Sequence, residues 1–240
     1  MISATSFLTI FGRGTKPTRH TLLWFPAVGA VLGLGVGSLW WLAAKVWPPL
    51  LSAAVVLVAD LALTGLLHFD GLADTADGLL APLPRARRLE AMADPAIGAF
   101  GAVTVGAVLI LRFSSFAVLR PTPLAIGGLW CASRTVMAMT TDVLNYVRPS
   151  GLVTDFLVEA RSRRQRFVSW TVLASGVVVA ALLLALGRGA RGLIALGAEL
   201  LTMTLVAALA SRRIGGYTGD VLGAAGVVGE TVGLLVLAMR

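Results

Sequence analysis

LLSAAVVLVADLALTGLLHFDGLADTADGLLAP, residues 50–82, begins as an almost uninterrupted apolar run and then places three aspartates and a histidine within ten residues. Residues 50–67 suffice to cross a hydrocarbon core about 30 Å thick as a helix. Asp70, Asp74 and Asp77 follow at i, i+4 and i+7, which on a helix of ~3.6 residues per turn sets all three within roughly 60° of one another. The stretch is therefore expected to form one helix from about 50 to 80 that crosses the bilayer and projects two or three turns into the headgroup zone. Pro82 and Pro84 stop it.

The rest of the chain repeats the apolar half of this pattern. Its 240 residues are 57% hydrophobic and 13% charged, with a mean hydropathy of +0.87, which excludes a soluble globular domain of ordinary composition. Spans are expected at about 22–44, 50–67, 99–119, 123–145, 167–187, 191–210 and 218–239. None shows the alternation of a membrane β-strand, so the fold class is all-α: a polytopic integral membrane bundle of about seven transmembrane helices. Residues 1–240 form a single transmembrane catalytic domain in this reading. Small residues at four-residue spacing, as in GAVLGLGVG (29–37), suit close helix packing rather than a phosphate loop. Residues 1–21 hold no signal peptide pattern.

The net charge of +8 would suggest nucleic acid in a soluble protein. Here it follows topology. With the N-terminus cytoplasmic, segments 1–21, 68–98, 146–166 and 211–217 carry 13 Lys and Arg, against 5 outside. The basic loops lack interleaved aromatics, so no nucleic-acid partner is expected. Cys131 is the only cysteine, which excludes an internal disulfide or a thiolate cluster.

Three like charges on one stripe repel, and the C-terminal end of a helix disfavours anions further. A cation should compensate them. Hard carboxylate oxygens with room for water and a phosphate suit Mg²⁺, which takes one or two protein carboxylates plus substrate oxygens. Gly71, Ala73, Ala76 and Gly78 keep the acid face open, which counts against a merely solvated loop. His68 is a candidate phosphate ligand or proton carrier, or a structural histidine at the interface.

Other polar residues fall in the same cytoplasmic segments. Asp94–Pro95 reads as the N-cap and N1 pair of the next helix, with a site role alongside. Gly215, Gly216, Thr218, Gly219 and Asp220, in GGYTGD, offer a tight turn, close backbone approach to a ligand, and a cap or ligand. Arg112 and Arg134 lie inside spans and should face the bundle interior, paired with an acid or a substrate phosphate; Asp60, Asp142 and Glu230 are the available acids. The basic run EARSRRQRF (159–167) suits anionic headgroups or a polyphosphate, though topology alone explains it.

These residues resemble a known family, the cobalamin synthases or adenosylcobinamide-GDP ribazoletransferases. HFDGLADTADGL (68–79) is similar to the family's His-x-Asp-Gly-Leu-Ala-Asp-Thr-x-Asp-Gly signature. MADPAIGAFG (92–101), ASR (132–134), GGYTGDVLGA (215–224), FLT (7–9) and FPAVG (25–29) resemble further elements in order. IFGRGTKP (10–17) departs from the segment usual after FLT, and Leu66 stands where a glycine often precedes the histidine. The resemblance implies an enzyme of the bacterial inner membrane with its site on the cytoplasmic face. In it α-ribazole, or its 5′-phosphate, attacks the phosphate joining cobinamide to GMP in adenosylcobinamide-GDP. Adenosylcobalamin, or its 5′-phosphate, and GMP result. Asp70 and Asp74 are expected to hold Mg²⁺, with Asp77 a third ligand or the base; Asp74 and His68 are the other candidate bases. Asp94, Arg134 and the 215–220 element lie at or near the substrate in this reading.

Two other classes compete. An ion-coupled transporter would route its cargo past Asp60, Asp142, Glu230 and the buried arginines, but segments 45–49, 120–122 and 188–191 hold no acid for an outer vestibule. A lipid-forming phosphotransferase would place an arginine after Asp-Gly and a fourth acid further on; Asp74 follows Asp-Gly-Leu-Ala here.

Overall fold

The computed structural model describes residues 2–9, 19–148 and 163–239. Ten helices run through them: α1 (Ile2–Leu8), α2 (Arg19–Leu22), α3 (Phe25–Val46), α4 (Pro49–Leu63), α5 (Leu67–Leu79), α6 (Arg85–Ala91), α7 (Ala99–Val118), α8 (Pro123–Val143), α9 (Arg163–Ile214) and α10 (Gly219–Ala238). Prolines open α3, α4 and α8, where a missing N–H costs nothing and the fixed φ favours the helix. Among the described residues the only β-type pairing is an isolated bridge between Tyr146 and Tyr217. The molecule is a helical membrane bundle. Val31, Val58, Val103, Ile110 and Leu186 stand exposed around it, as on a surface whose solvent is hydrocarbon.

By length and composition, four stretches can cross a membrane: His20–Val46, Ala99–Val118, Arg163–Ile214 and Gly219–Ala238, or five if α4 and α5 make one broken span. The expected number was seven, and the difference has physical causes. The 52 residues of α9 would measure about 78 Å if straight, far more than a bilayer core. Gly189, at φ 59 and ψ −142, reverses the chain there. The reversal is tight: a Cβ added at Gly192 would collide with the Leu184 carbonyl. The expected spans 167–187 and 191–210 are the two arms of this hairpin. The helix α8 is long enough, at 21 residues, but less apolar, and it is buried without a break from Ala125 to Thr135. It packs against α3, α9 and α10, so it meets protein rather than lipid and need not be greasy.

The single helix expected over about 50–80 is not formed. The chain turns by 86° between α4 and α5. Gly65 (φ 58) and Leu66 (φ 61) both take the left-handed conformation, and for Leu66 this costs on the order of 1–2 kcal/mol. The Thr64 hydroxyl closes α4 by donating to the Asp60 carbonyl at 2.9 Å. The turn is offset by what it permits: α5 lies against α10 and α7 with nine of its residues buried.

Candidate active site

The buried face of α5 carries Phe69, Leu72, Ala76 and Leu79, leaving Asp70 exposed and Asp74 and Asp77 half-buried on the other side. Contact with α10 is close because residue 71 is glycine. A Cβ there would stand 2.9 Å from both the Cα and the carbonyl oxygen of Asp220. The acid stripe is thus set directly beside the first turn of α10. That turn is capped by Thr218, whose hydroxyl oxygen accepts from the Val221 N–H at 3.3 Å and donates to Asp220 Oδ2 at 3.1 Å.

The third polar segment arrives by backbone pairing. The Tyr217 N–H donates to the Asn145 carbonyl at 2.9 Å and the Val147 N–H to the Tyr217 carbonyl at 3.1 Å. Gly216 permits this, since any side chain there would strike the Asn145 carbonyl, and Gly215 turns the chain at φ 90. Gly219 begins α10. The pairing delivers Arg148, which bonds Asp220 Oδ2 at 3.0 Å and the Met92 carbonyl at 2.8 Å. Arg148 was not foreseen from the sequence, where only its place in a basic loop marks it.

Asp77 has a partner that spacing along α5 does not reveal. Its two oxygens accept the backbone N–H groups of Gly98 at 2.8 Å and Gly101 at 2.9 Å. It therefore caps α7 from another helix, using the N–H groups that a helix start leaves free. This corrects the expected role of Asp94 as the cap. The helix begins at Ala99, not at Pro95, and exposed Asp94 instead accepts from the Ala96 N–H at 2.9 Å within its own turn. A local cap is unnecessary where Asp77 already serves.

Burial pushes the Asp74 carboxyl up to about 6, with Asp220 and Asp70 adding repulsion and Arg148 opposing it. Three carboxyl groups, those of Asp70, Asp74 and Asp220, thus gather around the guanidinium of Arg148. Nearby arginines are engaged elsewhere: Arg88 donates to the Gly78 and Leu79 carbonyls at 2.7 and 3.0 Å, and Arg213 to Leu79 at 2.7 Å, satisfying the C-terminal end of α5. Among the described residues, no group of three His, Cys, Asp or Glu side chains is close enough to hold one metal ion. The donor set fits an ion held by one or two carboxylates and completed by substrate oxygens. His68 is not on the acid face. It is buried against Gly223 of α10, and among the described residues Nδ1 has no hydrogen-bond partner.

Arg134 and Arg112 lie in the bundle interior. Arg112 bonds Asp60 Oδ2 at 3.1 Å and Glu230 Oε2 at 3.1 Å, while Arg134 bonds Glu230 Oε1. Ser133 donates to the same oxygen at 2.6 Å, and Trp130 Nε1 to Asp60 Oδ1 at 3.1 Å. These contacts tie α4, α7, α8 and α10 together. The arginine expected near the substrate is thus committed to a buried carboxylate. FLT at 7–9 belongs partly to α1, whereas IFGRGTKP (10–17) and residues 159–162 of the basic run lie outside the described residues.

A family model described as cobalamin-5-phosphate synthase matches residues 1–238. A protein of Chlorobium phaeobacteroides (strain BS1), named adenosylcobinamide-GDP ribazoletransferase, is 35% identical over 235 residues, 93% of this chain and 91% of its own. One of the same name from Bradyrhizobium diazoefficiens is 35% identical over 245 residues, covering 98% and 91%. Another from Brucella ovis is 36% identical over 227 residues, covering 90% and 84%. No solved structure matches the chain.

Proposed function

The chain belongs to the cobalamin-5-phosphate synthase family, and from that premise we propose that it joins adenosylcobinamide-GDP to α-ribazole, or to its 5′-phosphate, late in cobalamin biosynthesis. An oxygen of the acceptor's ribose forms a bond to the phosphate carried by cobinamide. The bond from that phosphate to GMP breaks, and GMP leaves. The observation that carries this reading is the convergence of Asp70, Asp74, Asp220 and Arg148 on one side of the α5–α10 contact. A nucleotide-activated pyrophosphate needs both an ion bound by carboxylates and a guanidinium.

Asp70 and Asp74 would hold Mg²⁺, the gathering of carboxyl groups around Asp74 being the feature that suits a divalent cation. Bound there, the ion would neutralise phosphate oxygens and stabilise the departing GMP. Arg148 sits where it can exchange its bond to Asp220 for a substrate phosphate. Asp77 is a positioning residue: by fixing the start of α7 it keeps that helix against the acid face. The 13 basic residues in alternate segments against 5 in the others support an orientation with the N-terminus and the site facing the cytoplasm, and the bacterial source of the relatives supports the inner membrane as its place.

Purified protein in detergent, given adenosylcobinamide-GDP, α-ribazole and Mg²⁺, should release GMP and form the joined corrinoid. No product with either acceptor, from protein whose helical content is intact, would overturn the reading.

A further inference from the structure

Between the start of α3, the middle of α8 and the first half of α9 lies a cavity of about 490 Å³, lined by Trp24, Ala27, Ala30, Cys131, Val172 and Val179 among others. That volume falls within the about 300–1,000 Å³ of sites that hold small ligands. Trp24, Ala27, Val172 and Val179 are exposed, so the cavity opens to the outside of the bundle, which in a membrane is hydrocarbon. Its polar atoms are already used. Ser175 donates to the Val172 carbonyl at 2.6 Å and Cys131 to the Gly176 carbonyl at 3.4 Å. What it offers an occupant is an apolar wall.

A second observation says what the occupant's other end must be. The helix α9 opens with Arg163, Arg164 and Arg166, all exposed, and its first turn contains no acid. Arg164 and Arg166 precede Val172 by eight and six residues, or about 12 and 9 Å along the axis. Arg164 lies within roughly 70° of the stripe formed by Val172, Ser175, Gly176 and Val179 on that helix. Trp24, exposed at the start of α3, has the place of an interfacial aromatic. Positive charge at the membrane surface, followed about 10 Å deeper by an open hydrocarbon-lined recess, matches the phosphate and upper acyl chain of a phospholipid.

We propose that this recess is a binding site for an anionic phospholipid, with the headgroup on Arg164 in the first turn of α9 and one acyl chain against Ala27, Ala30 and Val179. The site is separate from the acid face of α5 and does not depend on the reaction assigned to it. Occupied, it fills space between α3 and α9 that side chains leave open.

The test uses the full chain in bilayer discs containing phosphatidylglycerol that bears a photoreactive group on the acyl chain. After illumination, labelled peptides are mapped by mass spectrometry. Labelling concentrated on 23–30 and 172–179, competed by unlabelled phosphatidylglycerol but not by phosphatidylcholine, is expected. Arg164→Gln should raise the competing concentration needed by about 5-fold, and Ala30→Trp should remove labelling of the recess while other lipid-facing helices stay labelled. The arginine variant changes one exposed side chain, so it remains informative if the tryptophan variant fails to fold. Labelling spread evenly over the lipid-facing helices, or equal competition by the two lipids, would overturn the proposal.

Discussion

Two sets of carboxylates, Asp60 with Glu230 inside the bundle and Asp70 with Asp74 on α5, differ in what stands opposite them. The interior pair faces two guanidinium groups, a tryptophan N–H and a serine hydroxyl. The α5 pair faces further acids, with one arginine beyond, and Asp74 holds its proton up to about 6 mainly through burial and then through Asp220 and Asp70. Carboxylates bonded by guanidinium groups make a tie between helices; carboxylates that face one another keep charge available for a cation. In a membrane protein, charge balance therefore separates structure from chemistry better than burial or motif membership does.

The largest effect should come from unbalancing the interior. Glu230→Ala removes the carboxylate that both Arg112 and Arg134 bond, leaving Asp60 as the acid still hydrogen-bonded to Arg112, and is expected to cost about 3–5 kcal/mol, read as a lower unfolding temperature in detergent. Next, Asp74→Asn should reduce GMP release roughly 100- to 1,000-fold with no loss of thermal stability, since the charge it removes is one the folded chain disfavours. A melt shifted as far as that of Glu230→Ala would erase the distinction between the two sets.

Titration sharpens the contrast. The Asp74 carboxylate is charged above about pH 6 and neutral below, so metal-dependent rate should fall as pH drops through about 6. Asp220→Asn removes the largest neighbouring repulsion and should move that limb of the rate profile to lower pH. The linked stability has the opposite sign. The folded chain keeps this proton where the unfolded chain has released it, so stability falls as pH rises from 3.8 through about 6. Asp77→Ala should lose about 1 kcal/mol as a helix cap is removed, measurable by denaturant unfolding. The smallest change is expected from Glu199→Gln, since Glu199 is fully buried and, among the described residues, neither of its carboxyl oxygens is hydrogen-bonded. Melting within a degree or two of the parent would separate it from Glu230.

Periodicity made the acid stripe legible, and hydropathy located most helices within a few residues: 99–119 against Ala99–Val118, and 218–239 against Gly219–Ala238. The reversal at Gly189 was visible as a short polar break. What stayed hidden depends on partners far along the chain. Asp60 and Glu230 could be named as candidates for Arg112, but they lie 52 and 118 residues away from it, and no local pattern records such a pairing. Asp77 reads as a third member of the stripe because its true partners, Gly98 and Gly101, are backbone groups. The corner at Gly65 and Leu66 is marked only by the glycine that often stands at the second position in similar sequences, since a leucine by itself gives no sign that it will adopt φ 61.

That corner has a consequence for how the protein lives in membranes of different thickness. A rigid rod carrying its acids at one end would lift or sink them whenever the hydrocarbon layer swelled or thinned. Here α4 meets α5 at 86°, and Asp60 ties α4 to α7 and α8, so the carboxylates take their height from the contact of α5 with α10 and not from the length of α4. The corner uncouples reach from bilayer depth.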